Sequence, residues 1–436
     1  MSYNKLFEEK TYILLIPSIL VCLIPFALST GPFLPDLFLS LVSIIFLITS
    51  IYKRLWKYYL NPIFMCFLLF WMFITLVSLN SENIILSLKP SITYIRFGVF
   101  CTAVIYLINN NKNFLNFFFK TLIASLVLVI LYAMTQISYG ESLITHPKSL
   151  QHIRPYWFIN VPTGFFGDEK ILGSYLSKLY PLFIVGIIYL NNLKKFTKTL
   201  SLYAITLLIF FIICFTHERS AFFFIILTLF TTTAFTNVFQ YKKVFFLLLT
   251  LTAVVTFVLY PTMFEVLITN TLKQLNIIQG VHHQKSEGLF LFSNIHEGHY
   301  SIAINIFKDN PLFGAGVKMF RELCPNYTNI INYCSTHPHN TYVQLLAETG
   351  IVGFAFVFSI LIYIVYQMTK HIYSLIIIKK NYLGDYNFAL TVCFLITLWP
   401  IIPTGNFFNN WLSVSYFLPV GFYLCNSKYY KFKNYD

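Results

Sequence analysis

The chain has 436 residues, of which 57% are hydrophobic and only 11% charged, and its mean hydropathy is +0.69. Soluble domains carry about 25% charged residues, so this composition excludes a water-soluble globular fold and calls for lipid around most of the surface. The net charge of +14 does not mark a nucleic-acid binder, because Lys and Arg fall in twos and threes between apolar runs, as at Lys53, Arg54 and Lys57 or Lys194, Lys195 and Lys198.

A membrane span needs about 20 apolar residues. In chain order the sequence predicts spans near 12–29, 33–51, 61–79, 91–109, 119–137, 171–190, 199–216, 221–237, 244–261, 346–368, 386–402 and 408–425. No small-residue cleavage site follows the first run, which therefore reads as a retained span and not a removed signal peptide. The expected fold class is an all-α polytopic membrane protein of about twelve transmembrane helices. It forms one membrane domain over 1–436, with a large helical loop between the ninth and tenth spans.

With the N-terminus inside, the cytoplasmic segments collect Lys5, Lys10, Lys53, Arg54, Lys57, Lys112, Lys120, Lys194, Lys195, Lys198, Lys242, Lys243, Lys370, Lys379, Lys380, Lys428, Lys431 and Lys433. These are most of the 30 basic residues, the positive-inside pattern, and both termini come out cytoplasmic. Two connections, 138–170 and 262–345, are long and fall on the outer face. Loops beyond about 15 residues are usually functional or disordered, and the aromatic, Gly- and Pro-rich stretches HIRPYWF and NPLFGAG argue for structure. His146, His152, His282, His283, His296, His299, His337 and His339 all lie in these two loops, so the chemistry is expected outside the cytoplasm. Cys324 and Cys334, ten residues apart in the second loop, would close a disulfide in an oxidising compartment; the alternative is two unpaired thiols. The other cysteines sit in spans as small apolar residues.

The most informative stretch is THPHNTYVQLLAETGIVG, Thr336–Gly353. Pro338 and Asn340 precede a helical pattern that begins near Tyr342, as expected of a helix start. His339 then lies at the outer membrane surface, at a helix N-terminus that favours anions. Arg219, in the outer turn HERSAFF, is suited to bidentate phosphate contact or, alternatively, to an ion pair with Glu218. Arg96 in YIRF and Lys178 lie within spans, where a cation is costly and a functional candidate; snorkelling is the alternative. Arg321, in FREL, lies three residues before Cys324, which would fix it near His339. Asp168 and Glu169 could pair with cations or accept protons, and Asp168 could equally cap a helix. His296-Glu297-Gly298-His299 lacks the spacing of a zinc-protease helix, and Gly298 weakens that helix. No phosphate-binding loop for a nucleotide is present, so any reaction must draw its energy from the substrate.

Here the chain resembles the O-antigen ligase and O-antigen polymerase superfamily. That family's signature is His, then Asn, Ser or Gln, nine residues, Gly, two residues, and Gly, Thr or Tyr, and His339, Asn340, Gly350 and Gly353 match it without a gap. The family also carries a functional Arg at the place of Arg219, commonly followed four residues later by Leu, where this chain has Phe223. The resemblance implies transfer of a glycan from an undecaprenyl diphosphate-linked donor at the periplasmic face of a bacterial inner membrane.

On this reading a general base takes the proton of an acceptor hydroxyl, and a histidine with pKa near 6.5 suits that role. His339 is expected as that base, at the family's position, with His337 next. Arg219, Arg321 and Arg96 would neutralise the leaving diphosphate without a metal or other cofactor, while Lys178, Asp168, Glu169, Asn340 and Glu348 are expected substrate contacts. The expected function is an O-antigen ligase acting on a lipid A–core sugar hydroxyl in lipopolysaccharide biosynthesis, with the bilayer and no nucleic acid as further partner. The alternatives are a polymerase joining lipid-linked repeats and a polytopic transporter or flippase. Against the last, the halves of the chain show no repeat.

Overall fold

In a computed structural model, residues 3–139, 161–190, 194–274, 294–328, 334–427 and 429–430 are described, and among them the regular structure is entirely helical. Of the residues singled out from sequence, His146, His152, His282, His283, Lys428, Lys431 and Lys433 lie outside these ranges.

The helices follow the apolar runs: α1 Tyr3–Ala27, α2 Phe33–Tyr52, α3 Pro62–Leu79, α4 Ile84–Thr93, α5 Ile95–Asn110, α6 Phe114–Tyr139, α7 Leu172–Tyr189, α8 Lys195–Phe215, α9 Arg219–Phe235 and α10 Lys242–Leu259. Pro261–Phe264 (α11), a π-helical turn and Asn270–Gln274 (α12) lead into the long connection, which holds α13 Asn294–Asp309 and α14 Phe320–Tyr327. The chain then re-enters the bundle as α15 Thr341–Tyr373, α16 Gly384–Thr397 and α17 Asn410–Leu424. Nine helical segments among the described residues are long and apolar enough to cross a membrane. The α4–α5 stretch Ile84–Asn110 counts as one of them. At the remaining expected spans the chain forms shorter helices, the apolar α9 and α16 and α17.

Several boundaries differ from the sequence reading. The fourth predicted span begins earlier, because Ile84–Thr93 is already helical and the chain bends at Tyr94 before α5. The tenth begins at Thr341 and not 346, since Asn340 caps it there: its side-chain oxygen accepts from Tyr342 N at 2.9 Å and Val343 N at 3.1 Å. Arg219 is the first residue of α9 and not part of a free turn. The sixteenth helix stops at Thr397, short of the predicted 402, where WPIIPTG places prolines that cannot continue it.

Burial orders the bundle. In α7, 78% of the apolar span is buried, against 11% in α10, so α7 is central and α10 peripheral. The helix α7 packs against α6, α9 and α16, while α5 lies between α2 and α17. Polar side chains join the helices within this core, as expected where lipid supplies no hydrophobic drive between helices. Trp411 Nε1 donates to Leu28 O at 2.8 Å, and Tyr175 Oη to Pro25 O at 2.8 Å. A separate, smaller core forms at one end of the bundle, where Ile302, Ile306, Phe320, Leu323 and Cys324 pack on Ala347. That end, which carries α13 and α14, is called the loop end below.

The helix α15 is broken at Gly350, where φ is 62° and ψ is −167°. A break strands backbone groups that must find other partners. The loop NPLFGAG supplies four such partners: Ala315 N donates to Ala347 O and Gly316 N to Glu348 O, both at 2.9 Å, while Ile351 N donates to Pro311 O at 2.9 Å and Val352 N to Leu312 O at 3.4 Å. Two glycines make the crossing possible. A Cβ on Gly350 would overlap Leu312 C=O and lie 2.5 Å from Phe313 N, and one on Gly314 would overlap Thr349 N and lie 2.5 Å from Gly350 N.

Candidate functional site at the loop end

The cap of α15 sets the site. Asn340 turns the chain into the helix, and its amide donates to Pro400 O at 2.8 Å while Thr404 N donates to His339 O at 2.8 Å. The segment His337–Asn340 is thereby pinned beneath the α16–α17 connection. His339 itself has φ 57°, a left-handed conformation uncommon for a residue with a Cβ. His217 (φ 59°) and Lys318 (φ 62°) share it at the same end. Non-glycine residues held this way concentrate at functional sites.

Four imidazoles meet around His339. Its ring centroid lies 4.1 Å from that of His337, 5.3 Å from His299 and 5.4 Å from His296. The expectation that Gly298 would weaken a helix here is corrected. The helix α13 runs through Gly298, and the spacing of three residues puts His296 and His299 on one face. That i, i+3 pattern was the available signal for two residues the sequence reading set aside. Among the described residues no group of three or more His, Cys, Asp or Glu side chains is arranged to hold a metal ion. His339 Nε2 lies 3.2 Å from Ser335 Oγ, and His337 Nδ1 lies 3.0 Å from Thr336 Oγ1.

Burial pushes the His339 imidazole down to about 3, reinforced by His337, His296 and His299. Burial likewise pushes His337 to about 4; a hydrogen bond to the backbone of Thr404 opposes this, and Arg321 adds to the fall. Both rings are neutral at pH 7, each with a lone pair to offer.

Cations lie on both flanks of the cluster. Arg219 acts electrostatically on His296, and its Nη1 donates to Gln274 Oε1 at 2.8 Å. It is not paired with Glu218. That carboxylate turns the other way and accepts from Gly173 N at 2.6 Å, Ser174 N at 2.9 Å and Ser174 Oγ at 2.6 Å. Glu218 thus caps α7, a role the sequence reading offered to Asp168. Asp168 and Glu169 are exposed, and α7 begins three residues beyond Glu169, at Leu172. Burial raises the Glu218 carboxyl, and these bonds pull it back. Lys178 lies within the field of Glu218 and over the rings of Tyr416 (5.4 Å) and Phe224 (5.9 Å). A cation–π seat replaces the snorkelling alternative for it.

On the other flank, Arg321 reaches His337 electrostatically and carries a buried Nε with no partner. Its helix α14 is tied to the histidine segment by the disulfide Cys324–Cys334, whose Cα atoms are 5.6 Å apart. Glu348 lies beneath it, with no exposed surface. One Glu348 oxygen accepts from Phe320 N at 3.4 Å and the other from Gln344 Nε2 at 2.9 Å. Gln344 in turn accepts from Phe407 N at 2.9 Å, which joins the α16–α17 connection to α14. Arg96, on the first turn of α5, pairs with Asp36 at 2.7 Å, and Asp36 also accepts from Asn410 Nδ2 at 3.2 Å. The arrangement offers a neutral base with positive charge on either side, suited to a reaction that deprotonates a hydroxyl while an anion departs.

Residues 204–358 match the family described as O-antigen ligase. The match runs from α8 through the break in α15 and includes Arg219, all four clustered histidines and Gly350. It supports the superfamily that the His339–Gly353 signature resembles. No curated protein matches the chain.

Proposed function

We propose, from the O-antigen ligase match and the site at the loop end, that the protein transfers a polysaccharide from undecaprenyl diphosphate to a sugar hydroxyl of lipid A–core. In this reading the protein is a multi-pass protein of the bacterial inner membrane, 1–436 being one membrane domain. The loop end faces the periplasm and both termini are cytoplasmic. His339 is the general base. It takes the proton of the acceptor hydroxyl as that oxygen attacks the anomeric carbon, and the bond from that carbon to the diphosphate oxygen breaks. The electron pair leaves with the diphosphate, whose charge Arg219 and Arg321 meet from the two flanks, with Arg96 behind Arg321. Fixed cations are worth most in a buried site, where water does not screen them, and no metal or other cofactor takes part. His337 lies tilted against the base, ring centroids 4.1 Å apart, and shares its environment.

Asn340 and Glu348 act through other residues in this reading. Asn340 fixes the backbone of His339, and Glu348 holds the first turn of α14 on which Arg321 stands, so they are positioning residues. Lys178 and Glu218 set the α7–α9 contact beneath Arg219, and Asp168 and Glu169 lie exposed just ahead of α7.

The observation that carries the reading is the strained, neutral His339 lying between two arginine-bearing elements. The test is single-turnover transfer by purified protein at matched expression. His339→Ala should lose about 100- to 10,000-fold in rate while donor affinity changes little. Near-normal transfer by His339→Ala ends the assignment. The acceptor is tested in a deletion strain: loss of polymer from lipid A with long lipid-linked chains accumulating supports the ligase. Lipid A bearing a single repeat would make the protein a polymerase instead.

A further inference from the structure

Lys318 drew no attention in the sequence, yet its placement is unusual in three respects. It follows the two glycines of GAG, with φ 113° at Gly316 and 62° at Lys318 itself, so the loop holds a lysine where a glycine would be unstrained. It stands on the segment whose backbone is locked to α15 through Gly316 N and Glu348 O. Its ammonium lies within the electrostatic reach of Arg321, Glu348, Arg96 and Asp36 together. Burial lowers its proton affinity, and the two guanidinium groups add to this, Arg321 more than Arg96.

The charges near Lys318 do not cancel. Asp36 is taken up by Arg96, in the one ion pair among the described residues. Glu348 is engaged by Gln344 and the backbone of α14. Glu348 is also the carboxylate that acts on Lys318 and Arg321, so two carboxylates face three cations, and the buried Nε atoms of both Arg321 and Arg96 lack a partner. Three half-buried cations with donor capacity to spare, brought together from α5, α14 and the loop before it, make a place for an anion that the chain does not supply.

We propose that Lys318 is a further anion-binding residue, which forms with Arg96 and Arg321 a seat for the diphosphate of a lipid-linked donor on the His337 flank. This rests on the donor class proposed above. Two adjacent phosphates carry enough charge to engage three cations at once, and Arg321, nearest the histidines, meets the oxygen that leaves the sugar. Lys318 and Arg96 hold the phosphate beyond it.

Full-length protein in nanodiscs is titrated with farnesyl diphosphate and, separately, with inorganic pyrophosphate. Lys318→Asn removes the cation with a residue that enters the left-handed region more readily, so folding is spared. Lys318→Arg keeps the charge. The expected result is binding of both probes by the wild type, weakening with salt. Lys318→Asn should bind each about tenfold or more weakly with a flatter salt dependence, and Lys318→Arg within a few-fold of wild type. Unchanged affinities in Lys318→Asn overturn the assignment, and a lower thermal midpoint with unchanged affinity makes Lys318 a mere counter-charge to Glu348. Wild type that binds pyrophosphate through Lys318 but not farnesyl diphosphate leaves the anion seat standing and sinks the lipid-linked donor. Binding of neither probe overturns both.

Discussion

Replacing Gly350 by alanine tests whether the crossing of α15 and NPLFGAG sets the site. Two costs combine. A residue with a Cβ at φ 62° loses about 1–2 kcal/mol. The added carbon also overlaps the carbonyl of Leu312 and lies 2.5 Å from Phe313 N, backbone atoms that cannot rotate away, and overpacking of this kind costs about 1–3 kcal/mol. The sum is about 2–5 kcal/mol, unless the loop withdraws and gives up its four bonds to α15. Withdrawal would carry Lys318 and Arg321 with it, and a displacement of about 1 Å in a positioning element costs on the order of 100-fold in rate. Gly384→Ala is the matched control, because Gly384 has φ 74° with nothing within 4 Å of the added carbon and so bears only the conformational cost. Thermal midpoints in one detergent and single-turnover transfer rates are measured for both variants. Gly350→Ala should melt lower and transfer far more slowly than Gly384→Ala. Equal midpoints and equal rates would refute the idea that this crossing organises the site.

Reporter fusions after Lys195 and Lys243 should signal cytoplasm and a fusion at Tyr327 the outside; an inside signal at Tyr327 would invert the proposed topology. Thiol alkylation without reductant should leave Cys324 and Cys334 unmodified, and reduction should slow transfer by freeing α14 from the histidine segment; free thiols in protein purified without reductant would contradict the pairing. Since His339 and His337 sit at about 3 and 4 in the folded protein and 6.5 otherwise, the unfolded chain binds protons first. Stability should be fully present above pH 6.5 and fall from there toward pH 3, as read by thermal midpoints in His339→Gln against wild type. A bound diphosphate raises the proton affinity of His339, so the acid limb of kcat should lie at higher pH than that of kcat/KM. Coincident limbs would separate the donor charge from the base.

Hydropathy and loop charge carried the bundle into view, because in lipid each span must be long and apolar on its own account. The shorter α9, α16 and α17 were found by the same means, with the end of α16 displaced by the prolines after Trp399, as the cap at Asn340 displaces the start of α15. His337, His339 and Arg219 were legible because a motif and a turn marked them locally. The i, i+3 spacing of His296 and His299 marks a shared helix face, but their part arises from α13 folding back onto α15, which that spacing does not show. Glu218 was misread for a related reason: it caps a helix more than forty residues earlier in the chain. Lys318 stands as a lone lysine in an apolar, glycine-rich loop, and only the fold brings it and Arg321 beside Arg96.

The order of the chain bears on how the broken helix is made. The groups that complete α15 belong to Pro311, Leu312, Ala315 and Gly316, all of which leave the ribosome before Thr341. A backbone group left bare in hydrocarbon costs several kcal/mol, yet the break at Gly350 emerges after its partners have been synthesised. Biosynthesis can therefore dock the nascent helix onto a finished template, and the histidine segment is fastened only afterwards, when Pro400 and Thr404 follow from the ribosome.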